Sequence, residues 1–306
     1  MIDSGIINLN KPKGMTSHDC VSAVRRIIGI RRVGHTGTLD PMAEGVLPIC
    51  IGTAARIMEY LDIDYKTYRA EMTLGITTDT QDVWGKTVKE HTGSVPPLVQ
   101  IAEAFEDFRG EIEQTPPKYS ALKVNGKKLY EYARAGEEVE IKKRKVFIKD
   151  LQINTTELSG SKVSFDVTCS KGTYIRTICH DVGEMLGCGG AMSGLVRLAS
   201  GVFKLEDAIY AEDLAKLAPD ALKEVVKPAD FPLVHFGKAV IKSRDRAIWF
   251  TNGGVLLADE VSVTQKPGHK EMYCVYGEPG IFLGVAIYDE VKKIFVVDKI
   301  FKRGAD

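Results

Sequence analysis

Asp40 is the first residue whose type and setting point to chemistry. It lies near the end of Gly34-His35-Thr36-Gly37-Thr38-Leu39-Asp40-Pro41, which holds two glycines and a proline in eight residues. Such a segment reads as a loop, and its glycines let a bulky ligand approach the backbone closely. A carboxylate is ionised at neutral pH and is an oxygen nucleophile without further activation. Asp before Pro is equally an ordinary turn residue, and His35 reads equally as a packing or surface residue. Arg176 follows Lys171-Gly172-Thr173-Tyr174 at the start of an expected helix. There it either pairs with a carboxylate across a cleft or sits in solvent. Tyr68 and Tyr174 are platforms for a nucleic-acid base, or half-buried strand and helix residues.

A third candidate is the segment 118–145. Lys123, Lys127, Lys128 and Arg134 alternate with Tyr119, Leu129, Tyr130 and Tyr132, ahead of Lys142-Lys143-Arg144-Lys145. Cations interleaved with tyrosines suit a surface that neutralises phosphates and stacks on nucleotides. The chain contains no P-loop, GxGxxG, HExxH or GxSxG pattern, so nucleotide hydrolysis, Rossmann redox chemistry and common hydrolase chemistry lack a motif.

The elements that must position these residues follow from apolar spacing. Ile6 to Leu9 reads as a strand entering the turn Lys11-Pro12-Lys13-Gly14. Thr16-Ser17 then cap a helix with Val21, Val24, Ile27 and Ile28 on one face. Val46 to Gly52 is a buried strand, 53–61 a short helix, and Tyr68 to Leu74 a further strand. Leu98, Ile101, Phe105 and Phe108 keep helical spacing. Val163, Phe165, Val167 and Cys169 alternate as a half-exposed strand. Beyond it lies a helix with Ile175, Ile178, Val182 and Leu186 inward and Arg176 and His180 on another face. After the linker Pro228 to Pro232, short apolar runs alternate with Asn252-Gly253-Gly254, Lys266-Pro267-Gly268 and Glu278-Pro279-Gly280, a small β-rich module over 233–306.

The 306 residues are 44% hydrophobic and 27% charged, a globular composition long enough for one large domain or two ordinary ones. No stretch approaches 18 apolar residues, and the N-terminus lacks the basic start and apolar core of a secretory leader. The six cysteines show neither CxxC pairs nor zinc-ligand spacing with His, and read as reduced thiols of a cytoplasmic protein. Forty-one basic and forty-one acidic residues cancel overall, but 118–149 holds ten Lys/Arg against four Glu, and 1–34 six basic against two acidic residues. The stretch 203–232 is acidic, with four Lys against seven Asp/Glu. Basic blocks of this kind permit local nucleic-acid binding; a solvated basic hairpin fits the charge equally.

Taken together, the motifs resemble those of the TruB family of tRNA pseudouridine synthases. The Gly34 to Pro41 loop, continuing to Glu44-Gly45-Val46-Leu47-Pro48, is similar to the family's active-site motif. Asn10-Lys11-Pro12-Lys13-Gly14-Met15-Thr16-Ser17 and Lys66-Thr67-Tyr68-Arg69, with Leu74-Gly75 and Thr78-Asp79-Thr80, match in order. So do Pro116-Pro117-Lys118-Tyr119-Ser120-Ala121, with Gly126 to Tyr130, and Ser170 to Arg176. One departure is Met192, where members often carry His.

The resemblance implies an α+β fold. Its catalytic domain, 1–232, has a mixed, mostly antiparallel sheet flanked by helices and an RNA-contacting insertion at about 118–149. A PUA-type RNA-binding module follows at 233–306. The implied activity is isomerisation of uridine to pseudouridine at position 55 in the T arm of tRNA, by base flipping, without cofactor or metal. Asp40 is then the nucleophile, attacking C1′ or C6; Arg176 is its partner, and Tyr68 packs on the base and serves in proton removal. His35 fills the space the flipped base leaves, and Lys11 and Tyr174 line the cleft. Lys123, Lys127, Lys128, Lys143 and Arg144 contact RNA. The expected protein is a cytoplasmic monomer with tRNA as its partner and no membrane association. Two rival readings are a non-catalytic RNA-binding or tRNA-folding protein on the same scaffold, and a hydrolase pairing Asp40 with Glu44 on a glycoside.

Overall fold

The computed structural model describes residues 2–63, 65–154, 161–267, 271–278 and 280–301, so Gly268 and Pro279 of the expected turns lie outside the described residues. Alternating burial builds the main sheet. In the strand Lys66–Leu74, Tyr68, Ala70, Met72 and Leu74 face the core, while Arg69 and Glu71 reach across the other face to Asp166 and Lys162. Seven strands run in the order Gly5–Lys11, Glu44–Ile51, Gly190–Ser200, Lys66–Leu74, Lys162–Cys169, Arg144–Ile153 and Gly110–Gln114. Neighbours are antiparallel except for Glu44–Ile51 and Gly190–Ser200, which pair in parallel at only Val196 with Glu44 and Arg197 with Gly45.

Beyond that contact the two strands part. The edge of Glu44–Ile51 that Gly190–Ser200 leaves is taken up by Val33–His35, with Gly34 opposite Cys50 and His35 opposite Ile49. The expected loop at 34–41 therefore begins as a strand, because the open edge of its neighbour supplies hydrogen-bond partners. The loop proper starts at Thr36, whose N–H reaches Pro48 O, and it bridges the parting. At the parallel contact the chains approach so closely that a Cβ on Gly45, at φ +100°, would lie 2.3 Å from the Arg197 carbonyl oxygen.

The helix Ser17–Ile28 starts at a capping box in which Thr16 Oγ1 accepts from Asp19 N–H and Asp19 accepts from Thr16 N–H. Its buried Cys20, Val21 and Val24 cover one half of the sheet with Ile7, Leu9 and Ile49. Leu98–Glu106 and Ile175–Met185 cover the other half, placing Phe105, Ile178 and Val182 against Phe165 and Met72. The expected helix at 53–61 is a 3-10 run, Gly52–Ile63, in which Ala54, Ile57 and Tyr60 share one face at the three-residue period.

The C-terminal segment forms a second sheet of six strands, including every apolar run expected there, together with the strand Gly237–Ile241 and the helix Arg244–Thr251. The two sheets share a core: Ile6, Val46, Cys50, Ala54, Ile57 and Phe203 pack with Leu233, Phe236, Cys274, Val285 and Phe301. Tyr60 donates to Asp298, and Arg56 to Ile300 O, across the same junction.

Gly45→Ala is expected to lower the unfolding free energy by about 3 kcal/mol or more, since strain at positive φ adds to a backbone clash. Gly14, at φ +88° with nothing within 4 Å of an added Cβ, supplies the comparison: its alanine variant should lose only about 1 to 2 kcal/mol. Urea denaturation of the two variants measures the difference.

Candidate active site

The loop carrying Asp40 is held from beneath. Ser17 Oγ donates to Leu39 O at 3.0 Å and accepts from Leu39 N–H at 2.9 Å. Gly14 N–H reaches Pro41 O, and Ala43 N–H turns back to Asp40 O. Lys11 Nζ donates to three carbonyls, those of Pro12, Pro41 and Ala43, at 2.9, 3.1 and 2.7 Å. Lys11 is fully buried, and burial holds its pKa below that of an ordinary lysine. Its expected place in the cleft wall is thus corrected: all three donors of the ammonium are committed to loop carbonyls, and its side chain lies under the loop.

Above the loop, the first turn of Ile175–Met185 presents Arg176. Its Nε lies 3.0 Å from Asp40 Oδ2, Nη1 donates to Thr80 O at 3.0 Å, and Nη2 donates to Tyr119 O at 3.0 Å. A second carboxylate, Asp82, stands 3.6 Å from Nη1. The Arg176 side chain is 7% exposed and that of Asp40 is 41% exposed. The guanidinium is therefore buried machinery, and the carboxylate it aims is open to a ligand. Burial pushes the Asp82 carboxyl above the usual range, against the hydrogen bond from Thr80 and the charge of Arg176.

The segment holding Asp82 is pinned in turn by the backbone of Met192, which donates to Gln81 O and accepts from Val83 N–H. The Met192 side chain is buried in the core, so this departure from the family pattern falls where the backbone makes the contact to the site.

Asp40, Arg176, Tyr68, His35, Tyr174 and Lys128 line one cavity of about 800 Å³. The basic segment closes one side with Tyr119, Tyr130 and Arg134. Tyr68 is buried, and burial raises its phenol pKa. Burial lowers the His35 pKa, followed by the charges of Arg197 and His18. Its Nδ1 accepts from Gly37 N–H at 3.2 Å, which leaves the proton of the neutral ring on Nε2. Tyr174 is fixed through its backbone, since the Gln114 amide bonds both its N–H and its carbonyl.

The other basic residues stand outside the cavity. Lys123 is exposed and opposite Lys128 on a two-strand turn, and Lys143 and Arg144 are exposed ahead of and at the start of Arg144–Ile153. Lys127 is paired with Glu137 at 2.7 Å and lies over the Tyr132 ring. Two contributors escaped the sequence reading. Asp82 lies just past Thr78-Asp79-Thr80, and only its approach to Arg176 distinguishes it from an ordinary turn acid. Arg197 is 1% exposed inside the apolar run Leu195-Val196-Arg197-Leu198, where a charge in a buried strand was the available signal.

Over nearly its whole length the chain superposes on one from an H/ACA ribonucleoprotein bound to a substrate RNA containing 2′-deoxyuridine. The TM-score is 0.76 at 25% identity, covering 99% of this chain and 87% of that one. The fold is that of the pseudouridine synthases, with a PUA-type module after the catalytic sheet. Family models described as TruB family pseudouridylate synthase (N terminal domain) and tRNA pseudouridylate synthase B C-terminal domain match residues 25–175 and 176–234.

The tRNA pseudouridine synthase B of Alkaliphilus oremlandii is 52% identical over 240 residues, 78% of this chain and 79% of its own. That of Clostridium kluyveri is 44% identical over 297 residues, 97% of this chain and 99% of its own. The chain belongs to the TruB family of pseudouridylate synthases.

Lys11→Met removes the ammonium from three carbonyls, of which that of Pro41 keeps the Gly14 N–H and that of Ala43 is buried. The expected cost is about 2 to 4 kcal/mol of stability, with turnover falling at least about tenfold as the Asp40 loop relaxes. RNA affinity should stay within about twofold, because Lys11 does not line the cavity. Denaturant unfolding, single-turnover rates and filter binding separate the three effects.

Proposed function

We propose that the chain converts uridine to pseudouridine at position 55 in the T arm of tRNA, with Asp40 as the nucleophile. Formation of pseudouridine in tRNA follows from the family. The observation that carries the nucleophile is the ion pair of a 41%-exposed Asp40 with a 7%-exposed Arg176 at 3.0 Å in the cavity wall. A carboxylate whose partner is fixed by two further carbonyl bonds keeps its aim while its free oxygen meets substrate.

The reaction is an isomerisation: the N1–C1′ bond breaks, the uracil turns, C5 bonds to C1′, and the C5 hydrogen leaves as a proton. The target base lies in folded RNA, so it must first be extruded, at a cost of about a few kcal/mol. Exposed Lys123, Lys143 and Arg144, with Lys128 at the cavity, would offset that cost through phosphate contacts. His35, neutral and held by Gly37, is placed to fill the vacated stack. Arg176 holds Asp40 against the nucleoside, Tyr174 and Tyr68 flank the base, and Tyr68 takes the C5 proton. The six-stranded module at 233–306 serves as a second RNA-binding surface, and the boundary at 232 separates it from the catalytic part.

Tritium release from a T-arm stem-loop labelled at C5 of its uridines tests this. The wild type should release label, while Asp40→Asn should bind the RNA equally and release none. Release by Asp40→Asn at the wild-type rate would remove the nucleophile. No release by either protein on bound RNA would favour a binding or tRNA-folding role.

RNA affinity should also fall steeply with salt. Four neutralised phosphates correspond to a loss of roughly 50-fold between about 50 and 200 mM. Fluorescence anisotropy measures it, and a constant that stays flat over that range would exclude the phosphate-binding role of 118–149.

A further inference from the structure

Among the described residues, Arg197 is the largest buried below 2% exposure. In the antiparallel pairing of Gly190–Ser200 with Lys66–Leu74 it stands directly opposite Tyr68. Directly opposed residues leave the same face of a sheet with their Cβ atoms about 5 Å apart. The guanidinium thus stands beside the Tyr68 phenol, and its charge bears on it. Its Nε donates to Val46 O at 2.5 Å and its Nη2 to Gly37 O at 3.2 Å. A buried charge persists only when it is paired or fully hydrogen-bonded. Arg176 meets that need with two carboxylates, whereas Arg197 donates to two carbonyls and stands opposite a phenol. Its positive charge therefore bears on the phenol.

We propose that Arg197 is a positioning residue for the proton-transfer step: it aims the Tyr68 oxygen, couples that aim to the Asp40 loop through Gly37, and stabilises the phenolate that takes the C5 proton. This rests on the reading of Tyr68 as the base. Once C5 is bonded to C1′, the C5–H electron pair returns to the ring and the Tyr68 oxygen takes the proton. N1, freed from C1′, takes a proton from water, and Tyr68 returns its own to solvent, so the isomerisation balances.

The electrostatics around Tyr68 give Arg197 this part. Burial and the Asp40 charge disfavour the phenolate, while the charge of the neighbouring Arg197 favours it. The Cys169 thiol, pushed up to about 11 by burial, is neutral at working pH and adds no opposing charge there. Among the other charged or titratable groups of the cavity wall, Arg176 is committed to Asp40 and Asp82, while Lys66 stands beside Gly37 and His35 is neutral. A phenol ordinarily titrates near 10 and is a poor base at neutral pH unless a cation assists it.

The test is the pH dependence of single-turnover tritium release by the wild type, Arg197→Gln, Arg197→Lys and Tyr68→Phe. Arg197→Gln should slow release about 100-fold at neutral pH, move the rising limb at least about one pH unit upward, and leave the RNA dissociation constant within about twofold. Arg197→Lys, which keeps the cation, should recover at least about tenfold of the lost rate with the wild-type limb. In a Tyr68→Phe background, Arg197→Gln should add less than about threefold.

An equal loss at every pH, or full additivity with Tyr68→Phe, would reduce Arg197 to a structural residue. Wild-type turnover by Tyr68→Phe would instead overturn the assignment of Tyr68 as base, and this proposal with it. If Arg197→Gln does not fold, fluorotyrosine at position 68 in Arg197→Lys decides. Its more acidic phenol should restore rate if Arg197 acts through the phenolate, and unchanged rate would refute that.

Discussion

A guanidinium with almost no solvent contact must be surrounded by acceptors, and Arg176 draws them from distant stretches of chain. Asp40 comes from the glycine-punctuated loop, Thr80 and Asp82 from the segment after the Lys66–Leu74 strand, and Tyr119 from the basic insertion. Removing a charged group from water costs several kcal/mol unless such partners replace the water. Satisfying this one side chain therefore fixes where three separate segments meet. The orientation of Asp40 is a consequence of that requirement.

The same logic repeats below the loop. Lys11 and Arg197 are both fully buried cations that bond carbonyls of the segment from Gly37 to Val46. Ser17 grips Leu39 with donor and acceptor together. The loop crosses the place where the central parallel strands part, so little regular pairing is left to hold it. Polar side chains reaching up from the strands and from the first helix replace the missing ladder. The Asp40 carboxylate on such a loop is open to a ligand from above and held from below.

Much of this was legible in residue order. Alternation and helical spacing located the strands and helices of the main sheet because each has one buried face. The Asp40, Tyr68 and Arg176 motifs were visible because glycine, proline and aromatic residues mark the turns around them. The roles of Asp82, Arg197 and Lys11 were not. Each depends on a partner between about thirty and one hundred sixty positions away, as Arg176 for Asp82, Gly37 for Arg197 and Pro41 for Lys11 show. A motif lysine looks the same on paper whether it meets phosphate or props up a loop. Met192 shows the converse: its side chain departs from the family pattern, yet the backbone bond pattern at that position does not depend on side-chain type.

The apolar cluster joining Ile6, Val46 and Phe203 to Phe236, Val285 and Phe301 makes the C-terminal sheet part of the support for the catalytic one. Val46 accepts from Arg197 through its carbonyl while its side chain packs in that cluster. Cutting the chain at its proline-rich connector would strip cover from the strand Glu44–Ile51 that follows the Asp40 loop, leaving its apolar side bare. A shortened chain would thus lose solubility together with the support of the Asp40 loop.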